Sequence, residues 1–371
     1  MTCVGLIWLL IALDPPQKST DADRAGSPIK ADETVLFYPT AAVLDSNRET
    51  WIMPIHGVVF EPSDGSWRRR AMIATLRRAM GIESDSPQAE VFERRMRPFL
   101  VDHERGKAIA IRIGTRLHEV GVSEENGHFY GTVCLPADEA AELAKDGWLL
   151  FEAALAESDG RQFAGRVRLI KPQGLSVISD IDDTVRISQV GDLKAMLRSA
   201  FCEEFAAVPR MPAIYQLCTN RGAVFHYVSA SPWQLCEPLC AFFKQVNLPE
   251  GTLHLRHYRL DGTSLGAARF PPDELKSAEI EKLLIAYPGR RFLLFGDSGQ
   301  RDPEVYGHIA RQFDDQVLGV FIREVEQSPD AVRYEQAFRG VRERCVVFED
   351  AEDIKPALAR FFEQEATERK R

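Results

Sequence analysis

The chain has 371 residues, of which 45% are hydrophobic and 27% charged, an ordinary globular balance with room for two domains. Its formal net charge of -9 and its pI of about 5.5 argue against a nucleic-acid binder, which carries a basic excess. The seven cysteines show no CxxC pair and no zinc spacing. Cys236 and Cys240 indicate two small residues on one helical turn rather than a redox or metal pair.

The sequence of the first 32 residues does not predict a folded domain. Residues 4–13 form an apolar run that is short for a membrane span and suits the apolar core of a signal peptide, although no Lys or Arg precedes it. An export signal, a loose membrane anchor and a misassigned start codon all remain open, with an exported or membrane-associated protein favoured over a cytoplasmic one. Residues 17–32 are polar and predict a disordered linker.

Residues 33–170 predict a β-rich N-terminal domain. Apolar or alternating segments bounded by turn signals are typical of short strands, and regular short strands favour a sandwich-like fold. Strands are predicted at 51–60, 107–113, 128–135, 148–155 and 163–170. This region shows no catalytic constellation.

One helix is predicted inside this region, over residues 66–80, and its surface is strongly basic. Its apolar side chains fall on one face, and arginines occupy the rest and continue at Arg94, Arg95 and Arg97. A basic amphipathic helix is able to lie on an anionic membrane. The alternative, which is favoured, is a helix packed on the sandwich with a solvated basic face.

Residues 171–371 alternate between strand and helix patterns, which predicts a parallel sheet. Strands are expected at 175–179, 224–228, 252–257, 292–295, 317–322 and 345–348. Helices are expected at 191–205, 212–220, 232–245, from 276, at 303–312 and at 351–365. The insert after Thr184, with Phe201 and Phe205, either covers a pocket or packs in the core, and core packing is favoured.

The first strand of this half ends in a cluster of carboxylates. Asp180, Asp182 and Asp183 follow the apolar segment 175–179, with Thr184 after them. Like charges at this spacing raise each other's pKa unless a cation lies between them, which points to a divalent metal facing a phosphoryl group. The alternative is a loop whose Asp and Thr cap the next helix. Residues 180–184 alone do not decide between a metal site and a helix-capping loop.

Two further strands end in polar groups. Strand 292–295 runs into Gly296 and then Asp297 and Asp302, and strand 224–228 runs into Ser229. Ligands of open α/β sheets bind outside the carboxyl ends of the strands, so these groups should converge on one pocket. Carboxylate oxygens are the ligands that Mg²⁺ prefers.

Phosphoryl chemistry also needs a fixed cation, and Lys276 is the candidate. It opens a segment of helical spacing just before strand 292–295. The alternative is a solvated surface lysine. Lys282, the competitor, is more readily interpreted as a surface residue. Arg186, Arg256 and His257 are possible substrate contacts, although a surface ion pair or a strand-end role is favoured for each.

The order of these motifs resembles the haloacid dehalogenase superfamily of phosphatases. The residues within these motifs resemble one branch of that superfamily, the actin patch type of phosphatidate phosphatase catalytic domain. The resemblance covers about half of the chain, from Gly174 onward. Three motifs in order, each at a strand end, make the resemblance specific. They are residues 177–184, 227–233 and 295–306.

The resemblance implies a role for each candidate residue. Asp180 is expected to be the nucleophile and Asp182 the general acid and base. Thr184, Ser229 and Lys276 are expected on the substrate side, where Thr184 steadies the loop and the other two bind the phosphoryl group. Mg²⁺ is expected between Asp180, Asp297, Asp302 and the backbone carbonyl of Asp182. Asp183 is expected to be structural.

The expected fold is therefore a haloacid dehalogenase-like, Rossmann-like parallel sheet in residues 171–371, preceded by an all-β sandwich-like domain. The expected function is a Mg²⁺-dependent phosphatidate phosphatase that releases diacylglycerol and phosphate through an aspartyl-phosphate. The expected partners are phosphatidate or another phosphomonoester and an anionic membrane surface, with no nucleic acid. A phosphatase for a soluble phosphomonoester and a catalytically silent membrane-binding adaptor remain the alternatives.

Overall fold

The computed structural model describes residues 27–45, 47–62, 67–189, 192–257, 272–325 and 330–368. The apolar run at 4–13 and residues 17–26 of the predicted linker lie outside these residues. Residues 27–32 of that linker are described, and there the backbone N–H of Ala108 donates a hydrogen bond to Oγ of Ser27 at 2.9 Å. Within all the described ranges, no helix combines the length and the apolar character that a membrane crossing requires.

The first half of the described chain is built mainly of strands. They are β1 Thr34–Tyr38, β2 Thr40–Leu44, β3 Thr50–Glu61, β4 Asp102–His103, β5 Ala108–Ile113, β6 Arg116–Val122, β7 His128–Pro136, β8 Trp148–Ala153 and β9 Ala164–Leu169. Three helices interrupt them, α1 Trp67–Ala79, α2 Pro87–Met96 and α3 Ala137–Leu143, and a 3₁₀ turn lies at Arg97–Phe99.

These strands enclose a core of their own. Seven of them follow one path, in the order β1-β3-β2-β9-β8-β5-β6, and β4 and β7 both pair with β3. Alternate residues point to opposite faces of a strand, so one face of β5 contributes Ile109, Ile111 and Ile113 to the core. Phe37 and Phe151 meet there edge to face, with ring centres 4.9 Å apart. The expected β-rich region is confirmed, with its strands joined into one continuous sheet.

The second half alternates strands and helices. Its strands are β10 Gly174–Ser179, β11 Val224–Pro232, β12 Gly251–Arg256, β13 Arg290–Asp297, β14 Val317–Arg323 and β15 Cys345–Phe348. Its helices are α4 Leu193–Phe201, α5 Met211–Thr219, α6 Cys236–Gln245, α7 Pro272–Ala286, α8 Asp302–Gln312, α9 Ala331–Ala337 and α10 Lys355–Glu368. Short 3₁₀ turns lie at Trp233–Leu235, Arg342–Arg344 and Ala351–Ile354.

These six strands form one parallel sheet in the order β12-β11-β10-β13-β14-β15, which confirms the expected α/β fold. Helices cover both faces, so the central strands are apolar on both sides. In β13, Leu293 and Phe295 face the core that α5, α6 and α10 share, whereas Phe292 and Leu294 face the core under α7, α8 and α9. Because β10 and β13 pair directly and run parallel, their carboxyl ends lie side by side.

The two halves contact each other closely. Tyr38 of the β-rich half packs in the core of the second half, with its ring centre 4.3 Å from that of Trp233. The Tyr287 hydroxyl donates a hydrogen bond to the carbonyl oxygen of Ala42 at 3.1 Å. The predicted boundary at 170/171 falls between β9 and β10, and the division of the chain there stays a prediction.

Helices α1 and α2 differ from the expectation of a single basic helix. Ser86 accepts a hydrogen bond from the backbone N–H of Ala89, and Pro87 occupies the first turn, so α2 has a standard N-terminus that the sequence analysis missed. Leu76 of α1 packs with Phe92 of α2 in a small core that also takes in Cys202. The packed position favoured for α1 is correct, but its partners are helices rather than the sandwich.

Candidate active site

Three carboxylates meet at the carboxyl edge of the parallel sheet. Asp180 directly follows β10, Asp297 ends the neighbouring strand β13, and Asp302 begins α8. All three side chains are buried, and one carboxylate oxygen from each lies within 4.8 Å of those of the other two. The predicted convergence of Asp180 and Asp297 is therefore correct.

Lys276 lies between these carboxylates, as predicted. Its Nζ is 3.1 Å from Oδ2 of Asp180 and 2.5 Å from Oδ1 of Asp302. Burial alone would lower the pKa of Lys276, but Asp180 and Asp302 outweigh it and raise that pKa, so the ammonium stays charged. Lys282, one and a half turns later on α7, is exposed and pairs with Glu279, as expected of a surface residue.

One lysine does not neutralise three buried acids. Burial raises the pKa of Asp180 to about 7; Lys276 acts against this shift, and Asp302 and Asp182 add to it. Burial, Asp302 and Asp180 also raise the pKa of Asp297 well above its ordinary value. A cation placed among these oxygens would reverse both shifts.

The local geometry suits such a cation. Oδ2 of Asp297 is buried and has no hydrogen-bond partner within the described residues, whereas Oδ1 accepts the backbone N–H of Gly299 at 2.7 Å. Gly296 leaves the space that Asp302 needs, because a Cβ there would collide with that carboxylate. An unshared, buried carboxylate oxygen beside two others is a donor set for a hard divalent ion. The cluster is therefore able to hold a divalent metal.

Asp182 turns away from the three carboxylates. It forms a close ion pair with Arg186, and one of its oxygens accepts hydrogen bonds from Ser231 at 2.9 Å and Ser229 at 3.3 Å. Burial alone would raise the pKa of Asp182, but Arg186 and the two hydroxyls outweigh it and hold that pKa below its ordinary value. The side chain of Asp182 is thus not part of the metal cluster, and a contribution from its backbone carbonyl stays a prediction.

The remaining predicted residues surround this group. Ser229 lies within β11, which continues to Pro232, and its oxygen accepts the backbone N–H of Ser231 at 3.0 Å. Thr184 is fully buried, and its hydroxyl has no partner within the described residues. Asp183 accepts the backbone N–H of Ser188 at 2.8 Å, which fits the structural role expected of it.

A stack of side chains lies behind Asp182. The ring of Phe205 is sandwiched between two guanidinium groups, with the Cζ of Arg95 3.7 Å and that of Arg186 4.4 Å from its centre. Arg95, on α2, is buried and donates hydrogen bonds to the carbonyl oxygens of Ala200 at 2.8 Å and Glu203 at 2.6 Å. A helix of the β-rich half thus supports the arginine that holds Asp182.

The sequence analysis missed this arrangement. The surface ion pair favoured for Arg186 is wrong, since the residue is 2% exposed and pairs with Asp182. Arg95 is likewise not a solvated basic residue. Ser231 was predictable in principle, because it lies two residues after Ser229 on the same strand face. Phe205 packs in the core, as favoured, and His257 lies away from the carboxylates against Tyr130.

Part of the chain also matches a known protein family. Residues 175–324 match the family model of the phosphatidate phosphatase APP1 catalytic domain. This match spans less than half of the chain and contains every predicted site residue. It confirms the resemblance drawn from the three motifs.

Two curated proteins align with this part of the chain. Phosphatidate phosphatase APP1 of Saccharomyces cerevisiae is 33% identical over 162 residues, which are 42% of this chain and 26% of that protein. An uncharacterized protein of Schizosaccharomyces pombe is 30% identical over 183 residues, which are 47% of this chain and 30% of that protein. The chain thus spans under a third of these relatives.

Solved structures with detectable similarity include two phosphatases. A putative haloacid dehalogenase-like phosphatase from Mesorhizobium loti is 10% identical, covering 54% of this chain and 96% of that protein, with a TM-score of 0.31. A class C acid phosphatase from Bacillus anthracis is 12% identical, covering 50% and 78%, with a TM-score of 0.25. Scores this low establish neither fold nor function.

Proposed function

We propose that the protein is a Mg²⁺-dependent phosphatidate phosphatase, which hydrolyses phosphatidate to diacylglycerol and phosphate through an aspartyl-phosphate on Asp180. The observation that carries this proposal is the meeting of Asp180, Asp297, Asp302 and Lys276 at one sheet edge. Its lipid substrate rests on the matched catalytic domain.

In the first half-reaction, Asp180 is the nucleophile. A carboxylate oxygen of Asp180 forms a bond to phosphorus while the bond from phosphorus to the glycerol oxygen breaks. Asp182 donates a proton to that departing oxygen. Ser229, which hydrogen-bonds Asp182 in the structure, turns its hydroxyl to a phosphoryl oxygen; this weakens the hold on Asp182 and eases its protonation.

In the second half-reaction, Asp182 acts as the base. It removes a proton from a water molecule as that water attacks phosphorus, and the bond from phosphorus to Asp180 breaks. Free phosphate leaves and the Asp180 carboxylate is restored. Lys276 stabilises the negative charge on the phosphoryl oxygens in both steps, because its ammonium group is fixed 3.1 Å from the Asp180 carboxylate.

Asp180, Asp297 and Asp302 would hold the magnesium ion. When bound, the ion supplies positive charge opposite the phosphoryl oxygens and offsets the repulsion among the three acids. Oδ2 of Asp297, which has no hydrogen-bond partner among the described residues, supports this assignment.

Helix α1 supports the proposed contact with an anionic membrane. Trp67 is 69% and Met72 49% exposed, and Arg70 and Arg78 on the same helix are exposed as well. Exposed aromatic and apolar groups among arginines are the side chains that bind the interface of an anionic bilayer. Such binding would bring the enzyme to a lipid substrate.

The decisive test is a substrate comparison. Phosphate release should be measured from phosphatidate in anionic vesicles and from a panel of soluble phosphomonoesters, with Mg²⁺ and with EDTA. We expect Mg²⁺-dependent release from phosphatidate that exceeds release from every soluble ester. Preference for a soluble ester would contradict the lipid assignment, and no release from any substrate would favour the adaptor.

The membrane contact needs its own variant. Replacing Trp67 and Met72 together by Ser should lower turnover of vesicle-borne phosphatidate and leave turnover of a detergent-dispersed short-chain phosphatidate unchanged. Leu150→Ser, at a residue that is 62% exposed on β8, is the matched control. Equal loss with both forms of substrate would show that α1 serves folding rather than membrane binding.

A further inference from the structure

Three imidazole rings meet where the β-rich half contacts the parallel sheet. His56 lies on β3, His128 on the adjacent strand β7, and His257 directly after β12. Nε2 of His56 is 3.0 Å from Nδ1 of His128, and one nitrogen from each of the three rings lies within 4.8 Å of the other two. The group contains neither a carboxylate nor any residue of the candidate active site.

The spacing of these rings matches a shared metal ion. Zinc–imidazole bonds of about 2.0–2.1 Å at tetrahedral angles place ligand nitrogens roughly 3.3 Å apart and ring centres about 5 Å apart. The ring centres here are 5.2 Å apart for His56 and His128, 4.4 Å for His128 and His257, and 6.0 Å for His56 and His257. The separations of the three rings are thus close to those of three imidazoles on one ion.

Neighbouring side chains hold the imidazoles in place. Tyr130 stacks on His56, with ring centres 4.4 Å apart, and its hydroxyl lies 2.5 Å from Nε2 of His257.

The access also suits a cation. His128 lines a cavity of about 260 Å³ between the two halves, which offers an ion a path from solvent.

We infer that His56, His128 and His257 form a second metal site, for a divalent transition-metal ion of the imidazole-preferring class represented by zinc. This site is chemically distinct from the acidic cluster, because hard Mg²⁺ prefers oxygen ligands and zinc binds imidazole strongly. Two ligands belong to the β-rich half and one follows β12, so a bound ion links the two halves. Its role is structural, holding β3 and β7 against the parallel sheet.

The test is zinc binding to the full chain, stripped with EDTA and then supplied with excess Mg²⁺ to fill the acidic cluster. Equilibrium dialysis with metal analysis should find one tightly bound Zn²⁺ per chain, and zinc should raise the melting temperature. Cobalt in place of zinc should give the intense visible bands of tetrahedral coordination.

His257→Gln is the main variant, because His257 is exposed and we expect its replacement to leave the fold intact. We expect it to weaken zinc binding roughly 100-fold or more and to abolish both the thermal shift and the cobalt bands. His56→Gln and His128→Gln should do the same, and His308→Gln, at an exposed histidine of α8, should change nothing. Zinc binding that survives in His257→Gln, or that is lost in Asp297→Asn instead, would overturn the inference, as would failure of the wild type to bind zinc.

Discussion

The acidic cluster and the histidine cluster are alike in size and opposite in electrostatics. Each brings one ligand atom from each of three side chains within 4.8 Å of the other two. Burial and neighbouring acids raise the pKa of Asp180 and of Asp297, with Lys276 acting against both shifts, whereas burial lowers the pKa of His56 and His128 and so favours their neutral form. Ionised carboxylates repel one another until a cation binds, whereas neutral imidazoles do not.

The largest expected effect comes from removing one of the repelling acids. Asp297→Asn should lower phosphate release by about 10³-fold, because a metal ligand is lost. The same change should raise the melting temperature measured at neutral pH without metal, because it removes a carboxyl group whose raised pKa lowers stability there, and should abolish the stabilisation by Mg²⁺. Calorimetry with and without Mg²⁺ checks both statements.

Asp85→Asn, at an exposed acid, is the control for this variant and should behave as wild type. If Asp297→Asn melted at a lower temperature than wild type without metal, the acids would not be repelling one another, and the contrast between the two clusters would disappear.

The next effect concerns the lysine that the acids share. Lys276→Met should lower kcat by about 10²-fold, because it removes the fixed positive charge beside Asp180 and the transferring phosphoryl group. Lys282→Met, on the exposed face of the same helix, should leave kcat unchanged. Equal kinetics for the two variants would show that Lys276 only neutralises the cluster.

A smaller effect is expected from the stack that connects the β-rich half to Asp182. Arg186→Met should lower kcat by about 10-fold with little change in KM, because Asp182 loses the partner that orients it. Phe205→Leu should lower kcat less, since it removes only the ring between Arg186 and Arg95. Arg94→Met, at an exposed ion pair with Glu204, is the control.

Loss of kcat in Arg186→Met without any recovery in Arg186→Lys, combined with a lower melting temperature for both, would point to a purely structural arginine. Partial recovery by lysine at unchanged stability is the outcome that supports positioning of Asp182.

The smallest effect tests whether the β-rich half contributes stability rather than chemistry. Glu33 is buried and lies 2.7 Å from Nζ of Lys107. Burial acts to raise its pKa, but Lys107 and Lys30 outweigh burial and lower it. A carboxylate with a lowered pKa stabilises the fold at neutral pH and loses this contribution as the pH falls below its ordinary pKa of 4.5.

Glu33→Gln should therefore lower the free energy of unfolding by about 2 kcal/mol at pH 7, with a gap to wild type that closes below pH 4.5. Urea unfolding at several pH values measures this difference. Glu157→Gln, at an exposed residue, is the control, and kcat should be unchanged in both variants. A gap that persisted in acid would show that packing, not charge, accounts for the loss.

The two clusters also differ in how far the sequence predicted them. Asp180, Asp297 and Asp302 stand at the ends of recognisable strands, and parallel strands of one sheet bring such ends together, so their convergence followed from the strand pattern. His56 and His128 lie inside strands of a region with no motif, and His257 meets them only because the two halves pack together.

The support behind Asp182 was hidden for the same reason. Arg95 reaches α4 only through the packing of α2, a helix that the sequence analysis missed although Ser86 and Pro87 carry a start signal. Interpreted one residue at a time, Arg95 and Arg186 looked like surface charges. Contacts that depend on the docking of two regions are not encoded in local patterns.

The most direct measurement of the central claim is phosphate release by Asp180→Asn at saturating Mg²⁺. Asparagine has the shape of aspartate but cannot attack phosphorus, so we predict a fall of about 10³-fold or more with folding retained. Release within about 10-fold of wild type would contradict the account, because the carboxylate at the end of β10 would then not be the group that takes up the phosphoryl.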